Sequence, residues 1–229
     1  MQEQDLVFDS KGHHYMRTCG EDMDIVCNKI RKLYNCGDTS LVCSGLNAIY
    51  LTLHSIFEIE KEGICLISRE LYCDTPKLIH NIIKQFNKFR IITFPAHDSE
   101  TLANLIKKYD RDVKCIFLES CSNPSGYMID WKIFNNFKGK LVVDNTWLTG
   151  LLFNPFEYGA YIVVESCTKY LSNGKCIAGA ISYSKMNDLV YDNIDEKIHL
   201  MGIHVSPIHC RLISSGLDKL EEVFDNIMN

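Results

Sequence analysis

Asp144 and Lys169 are the residues with which chemistry can begin, because each lies just beyond a short apolar run that turns polar. Leu141-Val-Val143 runs into Asp144-Asn-Thr146, and Tyr161-Ile-Val-Val164 runs into Glu165-Ser-Cys-Thr-Lys-Tyr170. Turn signals lie between them, at Asn154-Pro155 and Tyr158-Gly-Ala160. Short β-branched runs bounded by turns read as buried strands of a parallel sheet, and ligands of such sheets gather beyond the carboxyl ends of the strands. An aspartate and a lysine are thereby set along one rim. A lysine flanked by hydroxyl groups, with an aspartate one strand away, suits a cofactor that carries an aldehyde, a phosphate and a ring nitrogen.

The elements that position this pair follow from the spacing of apolar residues. Residues 1–20 are polar, bear histidines and read as an arm. Met23, Ile25, Val26, Ile30 and Leu33 predict an amphipathic helix over 22–34. Leu41-Val-Cys43 is a short strand that runs into Ser44-Gly45, and Leu46, Ile49, Tyr50, Leu53, Ile56 and Phe57 mark the helix after it. Strands are expected at 64–67, 90–94, 113–118 and 177–183. A helix capped by Asp74, with Pro76 in its first turn, follows the second strand. Another spans 99–109, with Glu100 in its first turn and Lys107 and Lys108 in its last. The segment from Pro207 to the C-terminus reads as one helix. Alternating strands and helices imply an α/β fold built on a mainly parallel sheet sandwiched by helices. The expected divisions are an N-terminal arm and helix (1–40), an α/β domain (41–205) and a terminal helix (206–229).

Composition narrows the partners. The 229 residues can bury a sizeable core, and the net charge of −5 comes without a basic cluster, which argues against nucleic acid and acidic membranes. Eleven cysteines form no Cys-x-x-Cys pair and no Cys/His cluster at metal-binding spacing, so no metal site is expected and the thiols read as reduced. The polar N-terminus shows no signal segment, and no run approaches the roughly 18 apolar residues of a membrane span. A soluble, cytoplasmic protein is the expectation.

Taken together, the motifs resemble the Cys/Met-metabolism family of pyridoxal-phosphate enzymes, which holds the cystathionine synthases and lyases and methionine γ-lyase. The most specific match is Val143-Asp-Asn-Thr146 through Asn154-Pro155, Gly159-Ala160 and Ser166-Cys-Thr-Lys-Tyr170. Four further matches fall in order: Tyr15-Met-Arg17, Ser44-Gly-Leu46, Tyr72-Cys-Asp-Thr-Pro-Lys-Leu78 and Glu119-Ser-Cys-Ser-Asn-Pro124. The likeness covers about residues 15 to 220. It implies the large domain of the aspartate-aminotransferase-like fold (fold type I), with a seven-stranded type of sheet, and pyridoxal phosphate as cofactor.

The resemblance also assigns roles. Lys169 would be the Schiff-base nucleophile, and desolvation beside cationic groups would lower its pKa for the task. Asp144 would keep the pyridine nitrogen protonated, Tyr72 would stack on the ring, and Asn123 would contact the ring oxygen. Gly45 and Leu46, after Ser44, would offer N–H groups to the phosphate at a helix N-terminus. Thr146 joins the cofactor-binding set, and the hydroxyls of Ser166 and Thr168 would complete the phosphate cup. Tyr15 and Arg17 would reach into a neighbouring copy's site, implying a homodimer or homotetramer. Without that context, each residue also has an ordinary structural use: a surface lysine, a turn-capping aspartate, an N-cap serine, a half-buried tyrosine.

The match departs from the family in several places, among them Ile213-Ser-Ser-Gly-Leu217 for the usual Leu-Arg-Gly-Leu and a short arm before Tyr15. Cys73-Asp74 stands where the family has two glycines, which adds side chains and negative charge near the ring. Family members continue into a smaller C-terminal domain that supplies the arginine for the substrate carboxylate, and this sequence stops at Asn229, so that domain is expected to be absent. The implied function is elimination or γ-replacement on a sulfur-containing amino acid by a pyridoxal-phosphate-dependent C–S lyase or γ-synthase. The alternative is a truncated member that binds cofactor or a partner with little catalysis. A sugar aminotransferase of the same fold is a third option, and it explains the Ser-Cys-Thr-Lys-Tyr motif less well.

Overall fold

The central strands are apolar on both faces, as burial between two layers of helices demands. In the computed structural model, which describes residues 20–228, strands β1 to β7 span Asp38–Val42, Gly63–Ser68, Phe89–Phe94, Val113–Glu119, Lys140–Asp144, Ile162–Glu165 and Gly179–Tyr183. Leu66, Ile116, Val143 and Val163 enter one core, and their strand neighbours Cys65, Phe117, Val142 and Val164 enter another. The strict alternation lets one sheet support two cores.

Helices α1 (Glu21–Tyr34), α4 (Ser99–Tyr109) and α7 (Pro207–Leu217) cover the first face through Val26, Ile30, Leu102, Cys210 and Ile213. Helices α2 (Gly45–Glu60), α3 (Thr75–Ile83) and α6 (Leu189–Met201) cover the second through Leu51, Ile56, Ile79, Ile82 and Ile194. A short helix α5 (Thr149–Leu152) follows β5, and α8 (Leu220–Met228) ends the described residues.

The seven strands lie in the order β1-β7-β6-β5-β4-β2-β3. Pairing is parallel from β3 through β6, and β7 runs antiparallel to both of its neighbours. The sheet is therefore mainly parallel, as expected, and is mixed at the side where β7 lies. Its direction brings the carboxyl ends of β1, β2, β4, β5 and β6 to one rim, together with the amino end of β7.

Several local expectations are corrected. Asp74 stands at the N-cap of α3 but makes no capping bond there, and its carboxylate pairs instead with Lys77 at 3.1 Å. Ile25 lies outside the buried stripe of α1 and is 42% exposed, while Asp22 is buried and meets Arg211 of α7 at 3.2 Å. The last strand begins at Gly179, with Ile177 exposed before it. The terminal helix is two helices, α7 and α8. The apolar marks Leu217, Leu220 and Val223 run across their junction, so periodicity does not reveal the turn. Helix α6 has no counterpart in the sequence reading.

Candidate functional site

The rim is built around the end of β5. There Asp144 is the register partner of Glu119 on β4 and of Val164 on β6. Two backbone hydrogen bonds continue the ladder past the strands, from Ser120 N to Asp144 O at 2.9 Å and from Asn145 N to Val164 O at 3.0 Å. The loops that leave these strands therefore start from fixed positions.

Asp144 accepts at one carboxylate oxygen only. Its Oδ1 receives the Thr146 N–H at 3.0 Å and the Thr146 hydroxyl at 2.6 Å. The same hydroxyl accepts from Ser166 N at 2.8 Å, in the turn that leads to Lys169. Among the described residues nothing bonds to Oδ2. Burial pushes the Asp144 carboxyl up, and the two Thr146 bonds draw it back.

Lys169 lies in the loop after β6. Its carbonyl accepts from Gly174 N at 2.9 Å and its N–H donates to Ser166 O at 3.2 Å. The residue is exposed, so the desolvation expected for it is not supplied by the described residues. With Thr146, Trp147, Tyr170 and Val223 it lines a cavity of about 460 Å³. The sequence reading had given Trp147 and Val223 no place in the site.

The phosphate residues are brought together in part. Ser44 caps α2, its Oγ accepting from Asn47 N at 3.1 Å. Gly45 and Leu46 open the helix, and their N–H groups meet no acceptor among the described residues. A Cβ on Gly45 would lie 2.8 Å from Ser166 Cβ, so only glycine lets the helix N-terminus approach Ser166 this closely. Ser166 Oγ makes no hydrogen bond among the described residues. Thr168 differs: its hydroxyl donates to Ala178 O at 3.2 Å and accepts from Ala178 N at 3.1 Å. Its donor is thus spent on the strand that returns. Tyr15 and Arg17 lie outside the described residues.

Tyr72 and Asn123 come from loops beyond β2 and β4. Tyr72 is 39% exposed and Asn123 is half-buried. Cys73 first, then burial and Asp74, push the Tyr72 phenol up. Asp74 is paired with Lys77, so its charge is partly answered.

Three groups that the sequence reading had not assigned stand behind this rim. Glu119, 9% exposed, is pushed up to about 7, first by burial and then by the charge of Asp144. Glu165, 2% exposed, is pushed up to about 8 by burial, with Asp144 adding to it and the Tyr34 hydrogen bond opposing. Tyr34 OH donates to Glu165 Oε2 at 2.9 Å and accepts from Asn145 Nδ2 at 2.9 Å. Asp144 is therefore flanked on both sides by carboxyls whose ionisation burial opposes. Both glutamates sit inside motifs visible in the sequence, but the meetings of Glu165 with Tyr34 and of Glu119 with Tyr72 do not show there.

Among the described residues no group of His, Cys, Asp and Glu is arranged to hold a metal ion, and no helix is long and apolar enough to cross a membrane. Comparison with known proteins decides the family. The model of the Cys/Met metabolism PLP-dependent enzymes matches residues 2–223. The chain belongs to this family. An L-methionine gamma-lyase of Pseudomonas deceptionensis is 26% identical to it over 93% of this chain and 53% of that protein. Cystathionine gamma synthase from Xanthomonas oryzae superposes with a TM-score of 0.79 at 22% identity, covering 97% of this chain and 58% of its own. A Campylobacter jejuni protein described as an O-acetylhomoserine (thiol)-lyase, with a TM-score of 0.74 at 24% identity, covers 90% and 58%, and it carries a pyridoxyl-lysine phosphate. The chain spans about half the length of the curated relatives it matches.

Pyridoxal phosphate is the cofactor of the Cys/Met metabolism family, and the rim meets its chemistry. Among the described residues Asp144 Oδ2 has no partner, which suits a protonated ring nitrogen, and the N–H groups of Gly45 and Leu46 have none either, which with the Ser166 hydroxyl beside them suits a phosphate at a helix N-terminus.

Proposed function

We propose that the protein acts in sulfur amino-acid metabolism as a pyridoxal-phosphate-dependent C–S lyase or γ-synthase. Its substrate would be a sulfur-containing or γ-substituted amino acid, and its reaction elimination or γ-replacement. What carries this reading is the linkage of Asp144 to the lysine-bearing turn: one Thr146 hydroxyl joins the carboxylate to Ser166 N. The two groups this chemistry needs in fixed relation are tied by a single pair of hydrogen bonds.

When bound, the cofactor supplies an electron sink for bonds broken at the amino-acid carbons. Asp144 would hold a proton at the ring nitrogen through Oδ2, and Lys169 would supply the amine that holds the cofactor and serve as the base for the substrate α-proton. Tyr72 would face the ring and Asn123 the ring oxygen. Gly45, Leu46 and Ser166 would hold the phosphate. Thr146 and Thr168 act through Asp144 and Ala178 as positioning residues.

By the family resemblance, Tyr15 and Arg17 would serve the phosphate of a neighbouring copy, and the active unit would be a homodimer or homotetramer. A cytoplasmic location goes with this reading. The alternative, a binding subunit with little turnover, gains nothing from the relatives above, whose descriptions are those of lyases and synthases.

The test is spectral. Purified protein given pyridoxal phosphate should develop visible absorbance that Lys169→Ala abolishes, and amino acids from a sulfur-containing panel should perturb it. An unchanged spectrum in the alanine variant would overturn the role of Lys169. Release of pyruvate, 2-oxobutyrate or sulfide identifies the substrate, and absence of all three across the panel would overturn the enzymatic reading.

A further inference from the structure

Two loops of the rim, from different strands, converge on one side chain. Glu119 ends β4, and its Oε1 accepts the N–H of Tyr72, in the turn beyond β2. Its Oε2 accepts the N–H of Asn123, four residues along its own loop, at 3.0 Å. We propose that Glu119 is a positioning residue that fixes Tyr72 and Asn123 relative to each other, each of its carboxylate oxygens holding one of their backbone N–H groups. This rests on reading Tyr72 and Asn123 as the residues set against the cofactor ring.

The residue type supports the assignment. Two donors reach one side chain from two directions, so both of its distal atoms must accept. A carboxylate does this, whereas a glutamine would turn its own N–H₂ toward one of the backbone N–H groups. A carboxylate is otherwise a poor choice here. Glu119 is 9% exposed and is the register partner of Asp144, so burial and like charge both oppose its ionised form. The two N–H bonds are what offset that cost, and they are the only hydrogen bonds of its side chain among the described residues. A second tie between the same loops, Ser125 Oγ to Glu70, is exposed, where water competes with it.

The arrangement makes the two walls one unit. Above about pH 7, where Glu119 is ionised, a shift of Tyr72 relative to Asn123 has to break a charge-assisted bond, which is roughly twice as strong as a neutral one. Because these bonds run to backbone groups, Glu119 sets where the loops lie and leaves the Tyr72 ring and the Asn123 amide free to meet a ligand.

Amide-resolved hydrogen exchange by NMR on the cofactor-free protein tests the clamp without reference to any activity. Tyr72 and Asn123 amides should be protected relative to the neighbouring Cys73 and Ser125 amides. In Glu119→Gln at least one of the two should exchange about tenfold faster or more. Equal exchange of Tyr72, Asn123 and their neighbours in the unsubstituted protein would overturn the proposal, and that arm needs no variant to fold. Pyridoxal phosphate titration, read by protein fluorescence, should show affinity falling about tenfold in Glu119→Gln, with a shifted absorbance of the bound cofactor. Affinity and spectrum both unchanged would also overturn it. If the unsubstituted protein does not bind pyridoxal phosphate, the functional reading fails while the exchange arm still decides the clamp.

Discussion

Asp144, the last residue of β5, and Ser166, in the loop leaving the adjacent β6, are joined through one hydroxyl: Thr146 Oγ1 donates to Asp144 Oδ1 at 2.6 Å and accepts from Ser166 N at 2.8 Å. The pair fixes both the free oxygen of Asp144 and the start of the lysine loop. Thr146→Val keeps the shape and removes both bonds, leaving Ser166 N without its acceptor. It should cost about 1–3 kcal/mol of stability, read by urea unfolding, and weaken pyridoxal phosphate binding. Wild-type stability and affinity together would show that the link positions nothing.

Gly45 should tolerate no side chain. Gly45→Ala sets a Cβ 2.8 Å from Ser166 Cβ, so the helix N-terminus or the lysine loop must shift. Expected losses are about 1–3 kcal/mol in stability and at least about tenfold in cofactor affinity. Ser166→Gly removes the atom that is struck, so the double variant should recover part of the stability. Strict additivity of the two changes would place the strain elsewhere.

The carboxyls beside Asp144 give stability a definite pH dependence. Glu119 and Glu165 are raised from 4.5 to about 7 and about 8, so the folded protein binds their protons more tightly than the unfolded chain. The stability this adds is fully present below about pH 4.5 and is lost as pH rises through 7 and 8. The upward shift of Asp144 has the same sign. Tm should fall from pH 5 to 8, and Glu165→Gln, which removes one of these ionisations, should flatten the curve. A variant that tracks the unsubstituted protein at every pH would assign the slope to other groups.

Tyr34 joins α1 to the strand ends. Tyr34→Phe strips Glu165 Oε2 of its donor and Asn145 Nδ2 of one acceptor, both inside the core. A loss of about 2 kcal/mol is expected by thermal or chemical unfolding. The Tyr34 bond opposes the upward shift of Glu165, so its removal should also raise the pH at which Glu165 ionises.

Much of the rim was legible because its residues end short runs that could be little else than buried strands. Asp144, Lys169, Gly45 and Tyr72 each follow such a run, and chain order brought them to one side of the sheet. What stayed hidden depends on partners distant in sequence. Glu165 meets a tyrosine 131 residues away, and Glu119 meets the Tyr72 N–H from 47 residues away. No local pattern encodes either meeting. Helix α6 escaped notice because only Val190, Ile194 and Ile198 are buried, while Asp192, Asp195, Glu196 and Lys197 dilute the stripe. Cys27, Cys167 and Cys210 lie within the first core and its margin, where each behaves as a small apolar residue.

Strand β7 runs against its neighbours, so the chain leaves the rim at Glu165 and re-enters it at Gly179, with Glu165 paired to Ala180. The segment that carries Lys169 is thus a loop with both ends sewn to the sheet, and Thr168 stitches it once more to Ala178. Its interior is held as well, since Leu171, Ser172 and Cys176 are buried and Gly174 N donates to Lys169 O. Only the turn Asn173 to Lys175 is exposed throughout, so a change of loop length is borne most easily there. Elsewhere in the loop an added residue would displace the turn that carries the lysine.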